Sequence, residues 1–363
     1  MQRASSRGTG RGRRRFRRGA VVVVTTVGLA MLAAGPAMSD EHNRDHGRNP
    51  NGDWSTHRDP NADQSSRRQY GDPPGDEELP ARFVAEMNGR IVVVSASTGR
   101  VERRLTADQA GGGATDPTVG PEGRTVWFSR SDGGCGAHLA FVPAAGGSEG
   151  AVPGSGESGP ESTPLPRPGR DHLAYARGSC AGPDSTLVVG DMQGLQGHGQ
   201  LGLTPLAWSG DGAHLMATTA GGGEVHVLDV NNAGAIADDR VLAPADRSPG
   251  CRLTVVDFSP GATGNSVAVR RCGPSAGETP RSLVLLNPDG RLLGTIVRLP
   301  RGQDFTDRPA FDQSGHSLLF STVPAEASGA EAATTDVSLW VWRDGDVRRL
   351  LRPSPYRHPS WLP

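Results

Sequence analysis

The chain has 363 residues, including 51 Gly and 29 Pro, with only 5% aromatics and 38 basic residues that are all Arg. The formal net charge is −1, but eight Arg fall in the first 18 residues and no Asp or Glu precedes Asp40; beyond residue 37 the balance is 30 Arg against 39 acids, or −9. A mildly acidic body of this kind lacks the clustered basic face of a nucleic-acid footprint, and it disfavours binding to anionic lipid.

Residues 1–18 are basic and end in RRRFRR. Residues 20–34, AVVVVTTVGLAMLAA, are apolar and uncharged, and GPAM follows with small residues at Gly35 and Ala37. That order predicts an export signal over 1–37, cleaved after Ala37. Arg13 to Arg18 resembles the twin-arginine export motif, without the Ser before the pair or the Leu after Phe16, so the twin-arginine and general secretory routes both stay open. No Cys lies near residue 37, which excludes a lipid anchor. Left uncleaved, residues 20–38 are barely long enough to serve as a single-pass membrane anchor. Residues 38–80 are polar and too poor in apolar side chains to bury a core, so they are expected to form a disordered tether. His42 and His46 in this stretch have no helix to hold them on one face and no third ligand, so no metal is expected there.

From residue 81 the chain repeats. DPTVGPEGRTVWF (116–128), TPLAWSGDGAHLMA (204–217), LTVVDFSPGATGNSVAV (253–269) and RPAFDQSGHSLLF (308–320) share one form, with a degraded copy at 162–176. Each is a short apolar strand, a tight turn of Ser, Pro, Asp or Gly, and a second apolar strand, which is a hairpin signal. A second strand pair follows each, as in SLVLLNPDGRLLGTI (282–296) and SLWVWRDGDVRRL (338–350), with turn Gly or Asn supplying the positive φ that tight hairpins need. The unit is therefore four antiparallel strands, a to d. The aromatic that ends strand a recurs at Trp208, Phe258, Phe311 and Trp361, in steps of 50, 53 and 50 residues. Four-stranded units at this period are propeller blades.

The first unit, 82–106, supplies strands b, c and d without a strand a, and the final HPSWLP supplies a strand a with nothing after it. The two ends complete one blade. The predicted fold is all-β: a six-bladed β-propeller over 81–363, made of four-stranded antiparallel blades. The C-terminal strand completes the N-terminal blade, and the five whole blades begin near 116, 162, 204, 253 and 308. Closure of this kind removes exposed sheet edges.

The pattern P-x-[FW]-S-x-D-G-x-x-[LIV], carried best by TPLAWSGDGAHL, resembles the TolB-type propeller repeat, which is also found in the propeller domain of prolyl oligopeptidases. The resemblance covers roughly 82–363 and implies the WD-like propeller fold rather than a function. TolB proper carries an additional N-terminal α/β domain, where this chain has only the polar tether. No residues remain for the hydrolase domain of a prolyl oligopeptidase.

Four Cys in an exported chain predict two disulfides. Cys135 and Cys180 fall in the b–c loops of neighbouring blades, and Cys251 and Cys272 flank paired strands of blade five, so the expected bridges are Cys135–Cys180 and Cys251–Cys272. Every Cys lies on the face that carries the b–c and d–a loops. Loops at 129–138, 176–185, 271–281 and 322–337 are expected to be long there and to frame the channel mouth. Strand a is innermost, so the residues just before it should ring that mouth: Asp116, Thr204, Arg252, Asp307, Arg308, Arg357 and His358. They form either a polar binding ring or a set of charges that neutralise one another.

Catalytic motifs are not sustained. GGSEG (146–150) and GPSAG (273–277) match G-x-S-x-G, but both sit in Gly/Pro-rich loops rather than between a strand and a helix. A phosphate-binding P-loop needs a Lys, and the chain has none. SGDG at 209–212 and Asp344 and Asp346 around Gly345 fit hairpin turns. No catalytic residue, cofactor or metal is expected. The leading expectation is an exported, monomeric, non-enzymatic propeller that is extracellular or at the cell surface and binds a protein or other macromolecule through its b–c/d–a face. The alternatives are a propeller enzyme (a lyase or hydrolase) or small-ligand binder working in the channel, and a membrane-tethered sensor.

Overall fold

The computed structural model describes residues 80–363, apart from 108–111, 181, 196, 220–222, 247, 260–263, 274–280, 307, 313, 325–336 and 344. The leader, the tether up to residue 79, His42 and His46, most of GPSAG, Asp307, Asp344 and the interiors of the 271–281 and 322–337 loops lie outside the described residues.

Among the described residues every regular element is a strand. Blade one is built from β1 (Arg82–Met87), β2 (Arg90–Ser95) and β3 (Val101–Arg104). Blade two is β4 (Ala114–Val119), β5 (Thr125–Gly133), β6 (Gly136–Pro143) and β7 (Gly150–Ala151). Blade three is β8 (Glu161–Pro166), β9 (His172–Ser179), β10 (Gly182–Asp191) and β11 (Gly197–Leu201). Blade four is β12 (Leu203–Trp208), β13 (His214–Thr219), β14 (Val225–Val230) and β15 (Ile236–Leu242). Blade five is β16 (Cys251–Phe258), β17 (Ser266–Cys272), β18 (Ser282–Leu286) and β19 (Leu292–Arg298). Blade six opens on an inner strand in two pieces, β20 (Gln303–Phe305) and β21 (Ala310–Phe311), and continues as β22 (Ser317–Pro324), β23 (Ser338–Arg343) and β24 (Asp346–Leu351). The last strand, β25 (Arg357–Leu362), pairs with β1 and completes blade one in the order β25-β1-β2-β3. All six blades are antiparallel sheets arranged in a ring, as the repeat predicts.

Both faces of each blade are covered by its neighbours, which explains the unbroken apolar runs of the middle strands. Ser282 to Leu286 of β18 are all buried, whereas three of the four residues of the outer strand β3 are exposed. The core is accordingly split into clusters between blades. Phe83, Val92, Trp361 and Tyr356 of blade one and its approach pack on Leu319, Leu339 and Val341 of blade six. Val84, Ile91 and Leu362 of blade one pack on Val126, Phe128 and Val142 of blade two. Trp361 meets Phe83 edge-on, with ring centroids 6.3 Å apart.

Two expectations change in detail. The stretches 129–138 and 176–185 are not long loops: β5 and β6 run on as a ladder to Gly133 opposite Gly136, and β9 and β10 run to Ser179 opposite Gly182. Their Gly- and Cys-containing sequences extend the hairpins beyond the blade core instead of opening into loops. Blade six begins at Gln303 rather than near 308, because its inner strand is interrupted between Phe305 and Ala310.

The SGDG turn joins blades as well as strands. Gly212 has φ +69°, and a Cβ there would stand 2.7 Å from the carbonyl oxygen of Pro168, so a larger residue would be forced against the backbone. Arg167, 3% exposed, donates from Nε to the Gly212 carbonyl and from its two terminal nitrogens to those of Asn231 and Val230, each at 2.7 Å. Its guanidinium also lies 5.1 Å from the Trp208 ring centroid. Ser209 and Ala213 donate to Asp211 within the turn, and the Ser209 hydroxyl leads the causes that hold this carboxyl below the usual range.

Replacing Arg167 by Ala strands three carbonyls and should lower stability by about 3 kcal/mol, with Lys unable to restore it because a point charge cannot reach all three. Urea unfolding decides this; a Lys variant as stable as the native chain would refute the forked contact. Trp361→Ala, which empties the closure between blades six and one, should cost about 3–5 kcal/mol, and a loss below about 1 kcal/mol would show that the closing strand does not carry the ring.

Candidate functional site

The inner strands define the site, and all six carry an irregularity. One residue more than the partner strand has is inserted between Thr115 and Thr118 of β4, Ser162 and Leu165 of β8, Pro205 and Ala207 of β12, Val255 and Asp257 of β16, and Arg357 and Ser360 of β25. In blade six the irregularity is the break between β20 and β21. A bulge leaves a residue outside the ladder and re-aims its side chain. It also tolerates proline, since no N–H is required at that point: Pro117, Pro164, Pro309 and Pro359 all fall outside the ladder, whereas Pro205 is paired with Ala217 beside its bulge.

The equivalent residue, which precedes the proline where there is one, is Asp116, Thr163, Thr204, Thr254, Arg308 or His358, and all six are half-buried. Three are held at positive φ: Asp116 at 53°, Thr163 at 55° and His358 at 47°. This conformation is uncommon for any side chain and most costly for the β-branched Thr163. Asp116, Thr204 and His358, expected just before strand a, instead lie within it on β4, β12 and β25, and Arg308 lies in the break between β20 and β21. Arg252 stands two residues ahead of its blade's equivalent, Thr254, and is exposed on β16. Arg357 sits one residue before His358 and pairs with Glu86 in the ladder. Thr163 and Thr254 escaped notice because blade three is the most degraded copy and blade five has Val255 where the others have Pro.

At these six positions only blades six, one and two carry a charged residue or a histidine. Blades three, four and five present threonines, and the Thr204 hydroxyl is engaged with Ser185 Oγ at 3.1 Å. Blades six, one and two present Arg308, His358 and Asp116. His358 Nδ1 lies 3.3 Å from Glu86 Oε2 and 3.6 Å from Asp116 Oδ1, so one imidazole bridges carboxylates of two blades. Arg308 Nη2 lies 3.4 Å from Asp257 Oδ2 across the junction of blades five and six. Burial pushes the Asp257 carboxyl above its usual range, and Arg308 opposes that rise. Glu86 and Asp257 complete the charged half-ring. Their signal in the sequence is an acid on a strand whose neighbours are all apolar or aromatic, as in VVDF, and it becomes specific only when the register places a cation opposite.

The rim of the same face is cross-linked. Cys135 is bonded to Cys180, joining the b–c turns of blades two and three, and Cys251 is bonded to Cys272 across β16 and β17. Asp246, Cys251 and Cys272 group closely enough to suggest metal ligands. Both sulfurs are committed to the disulfide, however, and Asp246 accepts from Arg270 at 2.6 Å.

Removing the Arg308 cation should raise the Asp257 carboxyl further. A carboxyl whose folded pKa lies above its unfolded value contributes stability at low pH that is lost as pH rises through the folded pKa. Arg308→Ala should thus match the native chain near pH 4 and fall progressively behind it towards pH 7. Parallel stability–pH curves from thermal unfolding would rule this coupling out.

No protein-family model matches the chain, and no curated protein matches it in sequence. Among solved structures, TolB from Acinetobacter baumannii superposes with a TM-score of 0.56 at 13% identity, over 80% of this chain and 68% of that one. A putative TolB from Agrobacterium tumefaciens gives 0.49 at 15% identity, over 79% and 100% of the two chains. A puromycin-hydrolysing peptidase from Mycobacterium tuberculosis gives 0.46 at 16%, over 75% and 42%. At such identities the likeness is one of fold, and the fold of this chain is the six-bladed β-propeller of TolB.

Proposed function

We propose that this protein is an exported β-propeller that binds another macromolecule, most simply a protein, through the face carrying its b–c and d–a connections. In this reading residues 1–37 direct export, 38–80 form a tether, and 81–363 are the binding domain. The observation that carries it is the coincidence, on one rim, of two cross-links and a half-ring of charges held in place between blades. Such a surface is rigid and electrostatically patterned before any partner arrives, which lowers the cost of ordering on association. Two disulfides suit an oxidising compartment outside the cytoplasm. Pro80 lies beside Trp361 and Pro363 on the opposite, a–b face, lining a cleft of about 420 Å³ with Val119 and Phe311.

A second reading is favoured by the His358 bridge. A histidine between two carboxylates at a channel mouth suits general acid–base work or capture of a small cationic ligand, and would make the chain a channel enzyme or small-ligand binder.

Affinity-tagged exported protein, crosslinked on intact cells beside an Arg308→Glu/His358→Ala variant shown by circular dichroism to remain folded at the assay temperature, separates the two. Binding through the rim predicts defined partners that the variant loses. The same partners on both proteins would move binding elsewhere. No specific partner, together with ligand-induced thermal shifts that need His358, would favour the channel reading.

A further inference from the structure

Blade five breaks a rule of sheet pairing at the rim. Arg252 of β16 stands directly opposite Arg271 of β17, beside the opposed and disulfide-bonded Cys251 and Cys272. Like charges in opposed positions destabilise a strand pair, and opposed side chains project from the same face of the sheet. Arg281 continues the row, since it precedes Ser282, the residue that pairs with Arg270 on β17. Three arginines are thus aligned across strands a, b and c, with about 4.8 Å from strand to strand.

Their neutralisation is incomplete among the described residues. Asp304, from β20 of blade six, takes Arg271 Nη2 at 3.2 Å and stands 3.6 Å from Arg281 Nε. The Arg281 side chain is only 9% exposed, yet its Nε has no hydrogen-bond partner. Arg252 is exposed, and no ion pair among the described residues involves it. The adjacent Arg270, whose side chain projects from the other face of β17, is by contrast fully matched, donating to Asp246 at 2.6 Å and to Ser248 at 2.8 Å. Bonding to Arg270 leads the causes that hold the Asp246 carboxyl down at about 2.

The disulfide supplies the reason a repulsive register persists: it ties the two strands one residue from the paired guanidiniums. We propose that Arg252, Arg271 and Arg281 form a carboxylate-recognition row that takes an acidic segment of the partner protein, a proposal that rests on the reading of this rim as the binding face. Asp304 already demonstrates the chemistry, because two of the guanidiniums converge on its carboxylate. A row roughly 10 Å long, as the strand spacing sets it, matches a run of acidic side chains better than a single ion.

The test uses the full exported protein with both disulfides intact and a fluorescein-labelled hexaglutamate peptide, read by anisotropy at low and moderate salt. Saturable binding that weakens with salt is expected, with Arg252→Ala weakening it about tenfold while leaving the melting temperature unchanged or raised, as relief of repulsion demands. Arg298→Ala, on the outer strand of the same blade, should leave affinity unchanged. Equal weakening by both variants, or none with Arg252→Ala, would overturn the row. Tighter, Arg252-dependent binding of tripolyphosphate than of hexaglutamate would also overturn it, assigning the arginines to phosphate. Failure of hexaglutamate to bind while cell-surface crosslinking still depends on the rim would sink this proposal alone; failure of both would sink the rim reading with it.

Discussion

The pairing of β25 with β1 is the contact on which the rest of the molecule depends. Every blade buries both faces against its neighbours, so none has a core of its own, and a break anywhere leaves two apolar sheet faces in water. Trp361 and Leu362 fill opposite sides of the closing strand: Trp361 packs in the cluster shared with blade six, and Leu362 in the cluster shared with blade two. A strand distant in sequence by some 275 residues therefore sets the geometry of three blades at once. The loop entropy of that long-range closure is offset only when all six interfaces form together, which is why the ring behaves as one unit.

The same closure creates the rim. Five of the six inner strands carry a bulge and the sixth a break, and in blades one, two and three the proline and the residue before it both fall outside the ladder. The positive φ of Asp116, Thr163 and His358 is the local cost of this arrangement. Side chains from adjacent blades then meet: His358 with Asp116, Arg308 with Asp257 and Arg271 with Asp304. Ion pairs between blades select one angular register, since a shifted blade would strand a half-buried charge.

The two disulfides act at different levels. Cys135–Cys180 ties neighbouring blades at the tips of two extended hairpins, whereas Cys251–Cys272 lies within one blade and fixes a single strand pair. The second lies one residue from the opposed Arg252 and Arg271 and ties together the two strands that carry them.

Periodicity determined the architecture. Strand, turn and strand at steps of about 50 residues, with an aromatic closing each inner strand, specify blades, and a missing strand a at one end with a spare at the other specifies how they close. Short-range patterns sufficed because hairpin turns and alternating burial depend on neighbours in sequence. The Cys251–Cys272 pairing was legible for the same reason, as both cysteines lie on one hairpin. Tertiary structure decided the site. Glu86 and Asp257 look like ordinary strand acids until the ring sets His358 and Arg308 beside them, and Thr163 lay hidden in the most degraded repeat. The extension of β5 and β6 to Gly133 and Gly136 was misjudged because Gly-rich sequence serves equally for a loop and for the tip of a long hairpin. Which charges are paired and which are left over is a property of adjacent blades, and adjacency between blades is written nowhere in the local sequence.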